Sequence, residues 1–318
     1  MTIYNTIEYV DKVYISFILA ITLVIQINQQ KEKQKIGMLL ISLLVIFILG
    51  ATLFSGCVQQ QGQQGQSIVL IGRDSTSGTR EFFWTFVMGK ANFSASLLEK
   101  NSNGAVQQTI AQTPSAIGYV GLGYVDSTVK ALTINNITAN VQNVLAGAYP
   151  ISRDLYMFTK GNSTGAAKEF ILFMQSIEGQ AIVTQEGFVP LQNTVHYNVS
   201  GKTLSGTLTV SGSTTVLPIT DKVATAFKAL NPGLMITVTG GGSGAGISAV
   251  SQGTVDIGMS SRDLQSSESN LGLVKHVIAK DGIVIIVNPS NNYVNNLSLA
   301  QLKAIYKGEI TNWKDLSK

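Results

Sequence analysis

Hydrophobic and polar positions divide this chain into two regimes. Residues 13–27 and 36–56 are long, largely apolar runs, separated by a polar stretch that carries Lys31, Lys33 and Lys35. After residue 66 the pattern changes to a short apolar stretch, a Gly/Ser/Thr turn and a longer half-apolar stretch, repeated. That alternation predicts strand, turn and helix units, the mark of an α/β sheet with helices on its faces. Ser67–Arg73 predicts a strand, followed by the turn Asp74-Ser-Thr-Ser-Gly-Thr79 and an aromatic-rich helix over Arg80–Lys90. Thr207–Val210 leads through Ser211-Gly-Ser-Thr-Thr215 to a helix that ends near Leu230, with Pro218 at its start, where a missing N–H costs nothing. Leu234–Thr239 leads through Gly240-Gly-Gly-Ser-Gly-Ala-Gly246 to a helix reaching Gln252, and the strand Val255–Met259 opens onto Ser260-Ser261-Arg262.

The second apolar run has a basic flank before it and small residues after it, and it ends at Cys57, the only cysteine. It reads as an export signal with a lipid-anchor cysteine, or as a transmembrane helix that ends there by chance. One cysteine cannot bridge within the chain. Residues 13–27 are short for a membrane span of about 20 residues. They are either an extra transmembrane segment or part of an extension upstream of a later start such as Met38. Val58 to Gln66, rich in Gln and Gly, reads as a tether with nothing to bury. Five Asn-X-Ser/Thr sequons begin at Asn92, Asn136, Asn162, Asn198 and Asn296, and outside the cell they would mark surface loops.

The turns carry the candidate chemistry. A helix N-terminus presents unpaired N–H groups and about half a positive charge, and glycine lets the backbone approach a bound group closely. Ser and Thr hydroxyls add short donors, so several such ends meeting at one point could replace the hydration shell of a small tetrahedral oxyanion. Only Arg73 adds a full charge there, with a fork that can grip two oxygens. Taken singly, each turn is more often an ordinary N-cap and tight turn; four in one chain, one flanked by Arg, point to anion binding. No Gly-x-x-x-x-Gly-Lys-Ser/Thr string occurs, which argues against a nucleotide phosphate loop, and no dinucleotide fingerprint is present.

Composition narrows the field. Charged residues are 13% of the 318, well under the roughly 25% of typical soluble proteins, so the surface is polar but weakly charged. Residues 1–56 hold four Lys against three acids, which leaves +3 of the net +4 to the remainder, with no basic cluster to suggest nucleic acid. His196 and His276 stand apart without metal-ligand spacing, so no metal or other cofactor is expected. No nucleophile–base set or carboxylate pair suggests an enzyme, and turnover of phosphate esters is the weakest of the functional readings.

Certain strings are specific enough to name a family. Arg73-Asp-Ser-Thr-Ser-Gly-Thr79, Thr113-Pro-Ser-Ala-Ile-Gly-Tyr119, Tyr149-Pro-Ile-Ser-Arg-Asp-Leu-Tyr156 and Gly308-Glu-Ile-Thr-Asn-Trp313 resemble the phosphate-binding proteins of ABC importers over roughly residues 67–318. The order differs: the part near the C-terminus ought to precede the part that begins at Ile68, as in a circularly permuted chain. The resemblance implies a ligand set of Thr214, Thr215, Ser243 and Ser261 together with Arg73, Ser77, Gly78 and Thr79. Well-known members carry Asp where Ser261 stands, and that Asp accepts the proton of hydrogen phosphate. Asp256, Asp263 and Asp74 are the carboxylates near enough in sequence to be considered for that role.

The implied fold is α/β, the two-lobed periplasmic binding protein type II (Venus-flytrap) fold, circularly permuted after an N-terminal hydrophobic region. The implied organisation is an extension over 1–35, a signal or anchor over 36–56, a linker over 57–66, a split lobe of 67–150 plus 289–318, and a continuous lobe of 151–288. Chain crossings are expected near Tyr149–Arg153 and Val287–Ser290, with Ser67 and Lys318 close in space and His196–Lys202 as the linker between the old ends. The implied function is capture of inorganic phosphate on the outer face of the membrane and delivery to ABC permease subunits. Binding of sulfate, molybdate or tungstate, or a sensor role without transport, remains the alternative. A monomer is expected, with a half-swapped dimer as the other arrangement compatible with the order.

Overall fold

The computed structural model describes Thr22, Gln26 and residues 67–198 and 204–316. The chain divides into two units, Met1–Gly62 and Gln63–Lys318, and of the first only the helical, exposed Thr22 and Gln26 are described. The anchor at 36–56, Cys57, the tether at 57–66, most of the run at 13–27, residues 199–202 of the expected linker and Lys318 lie outside the described residues. Among the described residues no helix is long and apolar enough to cross a membrane.

In chain order the second unit begins with β1 (Val69–Arg73), α1 (Gly78–Phe86), β2 (Leu98–Lys100), α2 (Asn103–Gln112) and β3 (Ala116–Gly121). Two short strands, β4 (Lys130–Ala131) and β5 (Thr133–Ile134), precede α3 (Val141–Leu145) and β6 (Ser152–Lys160). The helices α4 (Gly165–Met174) and α5 (Ile177–Gln185) lead to β7 (Gly206–Gly212), α6 (Leu217–Leu230), β8 (Leu234–Gly240), α7 (Ser243–Gln252) and β9 (Ile257–Ser260). The long β10 (Leu273–Val287), the short β11 (Asn296–Leu297) and α8 (Leu299–Lys307) complete the order.

Nine of these strands form one sheet in the order β2-β1-β3-β10-β6-β9-β7-β8, with β4 added on β10, while β11 and β5 pair separately. The outer pairs are parallel, β1 with β2 and β3, and β7 with β8 and β9. The central pairs, β3 with β10, β10 with β6, and β6 with β9, are antiparallel. β10 spans the middle: Leu273–Gly282 pair with β6, and Ile283–Val287 pair with β3.

Burial follows that division and defines two lobes. Ile283, Ile285 and Val287 pack with Phe83, Tyr119, Tyr306 and Trp313, whereas Val284 and Ile286 face the opposite way onto Val106 and Ile110. Both faces of this half of β10 are covered, which is why Ile283–Val287 is a continuous apolar run and not an alternating one. The second lobe is built around Phe170, Phe173, Val210, Phe227 and Met259, joined from β10 by Ile278 and Ala279. The boundary expected at 288/289, with a crossing at Val287–Ser290, therefore falls earlier, at Gly282/Ile283. The reason is that the chain changes lobes inside one unbroken strand whose hydrogen-bond partner switches from β6 to β3. On the neighbouring strand, Tyr149 and Ile151 are core residues of the first lobe and Leu155 of the second. The two ends of the first lobe meet, with Ser67 bridged to Asn312 and the Ile68 amide donating to Thr311 O at 2.8 Å.

Local chemistry sets the helix ends nearest the sheet. Ser77 caps α1 through its hydroxyl, which accepts from Arg80 N at 3.3 Å, so the helix starts at Gly78, two residues inside the turn expected to precede it. The helix ends at Phe86, short of the expected Lys90. Ser102 caps α2 in the same way at 3.1 Å. No side chain caps α6 or α7, whose N-cap positions are Val216 and Gly242.

Candidate functional site

The four Gly/Ser/Thr turns converge between the lobes, at the ends of β1, β7, β8 and β9. From the first lobe come Arg73 at the last position of β1 and Ser77, Gly78 and Thr79 at the start of α1. From the second come Thr214 and Thr215 before α6, Ser243 at the first position of α7, and Ser261 just after β9. All eight are buried. The Arg73 Nη2 donates to Thr214 Oγ1 at 3.1 Å, the Thr79 and Thr215 hydroxyls lie 3.0 Å apart, and the Ser243 and Ser261 hydroxyls 3.2 Å apart. The sequence-predicted residues are thus brought together, with one limit: the Ser77 hydroxyl is turned to its own helix as the cap.

The lobes touch closely here. Gly244 N donates to Thr76 O at 3.1 Å, Thr76 Oγ1 to Gly241 O at 3.2 Å, and Tyr124 Oη to Thr214 O at 2.5 Å. Two glycines make this approach feasible. A Cβ on Gly78 would lie 2.3 Å from Ser243 Oγ and 2.8 Å from Ser261 Oγ. Gly242, with φ of 96°, adopts a conformation that favours glycine, and a Cβ there would meet Thr76 Oγ1 at 2.5 Å.

Arg73 is the focus. Its side chain is 1% exposed, and it donates through Nε to Lys100 O at 3.0 Å and through Nη2 to Asn101 O at 3.1 Å, besides Thr214. Its Nη1 is buried and finds no hydrogen-bond partner among the described residues. Burial pulls its pKa down from the ordinary guanidinium value, and the nearby Asp74 carboxylate, 3.7 Å from Nη2, pulls it back up. A guanidinium stays protonated in any such setting, so a buried charge with a free donor faces this region.

Three residues of the site were given no role by the sequence. Arg153, at the start of β6, donates through Nε and Nη2 to Asp281 Oδ2 at 3.1 and 2.8 Å, through Nη1 to Ser261 O at 2.9 Å, and through Nη2 to Thr79 Oγ1 at 3.0 Å. Asp281, fully buried on β10, also accepts from Leu122 N at 2.8 Å. Burial pushes its carboxyl up from the ordinary value, and Arg153 opposes that shift. Asn103, at the first position of α2, donates to Thr215 Oγ1 at 2.9 Å. One signal was available in the sequence: an acid inside the apolar run Ile278–Val287 has to be paired if it is buried.

The carboxylates raised as substitutes for the missing family Asp go elsewhere. Asp256 accepts from Thr209 N and Oγ1 at 2.7 and 2.8 Å, Asp263 pairs with Lys275 on the surface, and Asp74 turns to Thr76. Among the described residues no group of three or more His, Cys, Asp or Glu comes together to hold a metal ion.

The PBP superfamily domain matches residues 51–178 and 198–318. The phosphate-binding protein PstS 2 of Streptococcus agalactiae serotype V is 35% identical over 291 residues, which cover 88% of this chain and 98% of that protein. The protein of the same name from Streptococcus pneumoniae is 36% identical over 270 residues, covering 81% of this chain and 91% of its own length. A crystal structure of a phosphate-binding protein of a phosphate ABC transporter from Streptococcus pneumoniae superposes with a TM-score of 0.64 at 35% identity. It covers 78% of this chain and 99% of that one.

Proposed function

This chain belongs to the PBP superfamily, alongside phosphate-binding proteins, and we propose that it captures inorganic phosphate between its two lobes and delivers it to an ABC importer. The observation that carries this reading is the buried Nη1 of Arg73, without a partner among the described residues, on a guanidinium whose Nη2 donates to the Thr214 hydroxyl of the opposite lobe. A polar hydrogen buried without a partner costs roughly 1–3 kcal/mol, and an anionic oxygen placed against it removes that cost. The helices α1, α6 and α7 direct their N-terminal N–H groups to the same region, where a dipole end favours negative charge.

Thr214, Thr215, Ser243, Ser261, Arg73, Ser77, Gly78 and Thr79 form the ligand set in this reading. Ser77 contributes through the helix end that it caps, and its hydroxyl does not take part. Because the set is divided between the lobes, a bound anion favours the closed arrangement by its differential affinity for it. Binding accounts for all of these groups, and no catalytic role is assigned. Calorimetry with inorganic phosphate tests the proposal: binding by the wild-type chain, lost or strongly weakened in Arg73→Ala, is the expected result. Absence of binding by the wild-type chain would overturn it.

A second reading, binding of another tetrahedral oxyanion such as sulfate or molybdate, is favoured by one observation. Ser261 stands where well-known relatives carry Asp, and none of the three candidate carboxylates turns its acceptor toward the hydroxyls. Competition between phosphate and sulfate at neutral pH separates the two. The exchanged order of the halves is supported by the meeting of Ser67 with Asn312. A chain reopened within residues 196–202 and joined from 318 to 67 should fold and bind phosphate equally well if the order is a permutation of one domain. Anchoring of the domain outside the cell through Cys57 or the apolar run before it is supported by the sequence alone. Release of the Cys57→Ala protein into the medium would identify the lipid form of the anchor. Light scattering that gives the mass of one chain would favour the monomer over a half-swapped dimer.

A further inference from the structure

The hydroxyls of Thr79 and Thr215 face each other at 3.0 Å, and a hydroxyl can donate or accept. The groups behind them narrow that choice. Arg153 Nη2 donates to Thr79 Oγ1 at 3.0 Å and lies 3.5 Å from Thr215 Oγ1. Asn103 Nδ2 donates to Thr215 Oγ1 at 2.9 Å. A guanidinium has no acceptor at all. The Asn103 amide is oriented by its far end, since Oδ1 accepts from the Gly121 amide at 3.3 Å and a backbone N–H can only donate. Each threonine oxygen therefore already accepts from the protein, and because only one hydrogen can lie between the two hydroxyls, at least one of their hydrogens points away from the pair.

Both backing groups are themselves fixed. Arg153 is gripped by Asp281 through two bonds and by Ser261 O through a third. Asn103 is fully buried in the first turn of α2. Ser261 differs. Its amide donates to Ser243 Oγ at 3.0 Å, while its own hydroxyl meets only the Ser243 hydroxyl among the described residues, at 3.2 Å.

We propose that Arg153 and Asn103 are positioning residues that hold the Thr79 and Thr215 oxygens as acceptors and so turn the free hydroxyl hydrogen of the pair toward the bound oxyanion, leaving Ser261, whose only partner among the described residues is another hydroxyl, as the one able to turn and accept a ligand's proton. This rests on the reading of the site as an oxyanion site and adds to it a source of selectivity. A fully ionised anion is met by donors on several sides, whereas a protonated one has a single place for its hydrogen.

Asn103→Asp reverses one of these contacts without changing shape. The carboxylate still accepts from Gly121 N but cannot donate to Thr215; it takes the threonine hydrogen instead, and Thr215 then faces the ligand with a lone pair. Phosphate has a hydrogen to give that lone pair, and sulfate has none. Calorimetry on the full chain with inorganic phosphate and with sulfate at neutral pH is the test. The phosphate-to-sulfate affinity ratio of Asn103→Asp should rise about tenfold over wild type, the worth of roughly one hydrogen bond, while both absolute affinities fall through charge repulsion. Equal losses for the two anions, which a purely structural role of Asn103 would give, overturn the proposal and leave phosphate binding intact. Arg153→Lys keeps a cation opposite Asp281 without the fork, and it should weaken phosphate binding about tenfold. Unchanged phosphate affinity in that variant overturns the proposal even if Asn103→Asp does not fold. Failure of the wild-type chain to bind phosphate or sulfate overturns the functional reading and this inference together.

Discussion

Two buried guanidinium groups flank one cluster of threonine hydroxyls, and they are used in opposite ways. Arg73, at the end of β1, leans on backbone carbonyls and leaves Nη1 without a partner among the described residues, with the Asp74 carboxylate 3.7 Å away and partly exposed. Arg153, at the start of β6, is neutralised by the buried Asp281, with its remaining donors taken up by Ser261 O and Thr79 Oγ1. Both sites remove a cation from water, which is costly unless something answers the charge. At Arg153 the protein supplies the answer from within; at Arg73 it supplies less, and in the proposed function the ligand supplies the rest. It is the unspent donor, more than burial or charge alone, on which the proposed recognition rests.

The contrast can be broken in order of effect. Arg153→Met should cost the most stability, about 3–5 kcal/mol in urea denaturation, because Asp281 would remain buried without its partner. Pairing it with Asp281→Leu should restore much of that loss, and a double variant as unstable as the two single losses combined would contradict the account of Arg153 as an internal pair. Arg73→Met should act mainly on binding. Loss of a charge-assisted contact of about 1.5–3 kcal/mol predicts a fall of roughly tenfold to a hundredfold in phosphate affinity, with a smaller drop in melting temperature than Arg153→Met shows. The reverse ranking of the two melting temperatures would exchange the roles assigned to the arginines.

Gly78→Ala sharpens the comparison. A methyl group placed 2.3 Å from Ser243 Oγ wedges the lobes apart, threatening the Arg73–Thr214 contact but not the Arg153–Asp281 pair. Overpacking of this kind costs about 1–3 kcal/mol, so phosphate affinity should fall about tenfold while the unfolding free energy, measured without phosphate, changes less.

The smallest effect belongs to an exposed ion pair, a control for the buried one. His196 and the Tyr197 amide hold the Glu178 carboxyl down to about 2, well below its ordinary 4.5. A depressed acid contributes stability that is present above the unfolded value and lost as pH falls from 4.5 toward 2. Both partners are well exposed, so screening limits the contribution to about 0.2–1 kcal/mol. Glu178→Gln should flatten the acid limb of the stability–pH curve by no more than that.

Much of the site could be read from the chain because turn chemistry is local. Arg73, Ser77, Gly78 and Thr79 lie within seven residues of one another, and the hydroxyl turns before α6 and α7 announce themselves by composition. Helix starts were less legible: α1 begins at Gly78 because Ser77, inside the supposed turn, is its cap. The lobe boundary was misplaced for a different reason. Ile283–Val287 is equally apolar whichever lobe it joins, and only the switch of strand partner at Gly282/Ile283 assigns it. Arg153 lay inside a string already noted for its family likeness, yet its partners Thr79, Ser261 and Asp281 are 74, 108 and 128 residues away. No local pattern encodes such distances.

The amino-acid sequence by itself determined the α/β alternation, the four hydroxyl-rich turns and the arginine that ends β1, since each depends on neighbours a few residues apart. The tertiary structure decided which cation is satisfied and which hydroxyl oxygens are held as acceptors. Those are properties of groups that meet only after two lobes close on one another, and a hydrogen bond exists only where the fold brings its two ends within about 3 Å.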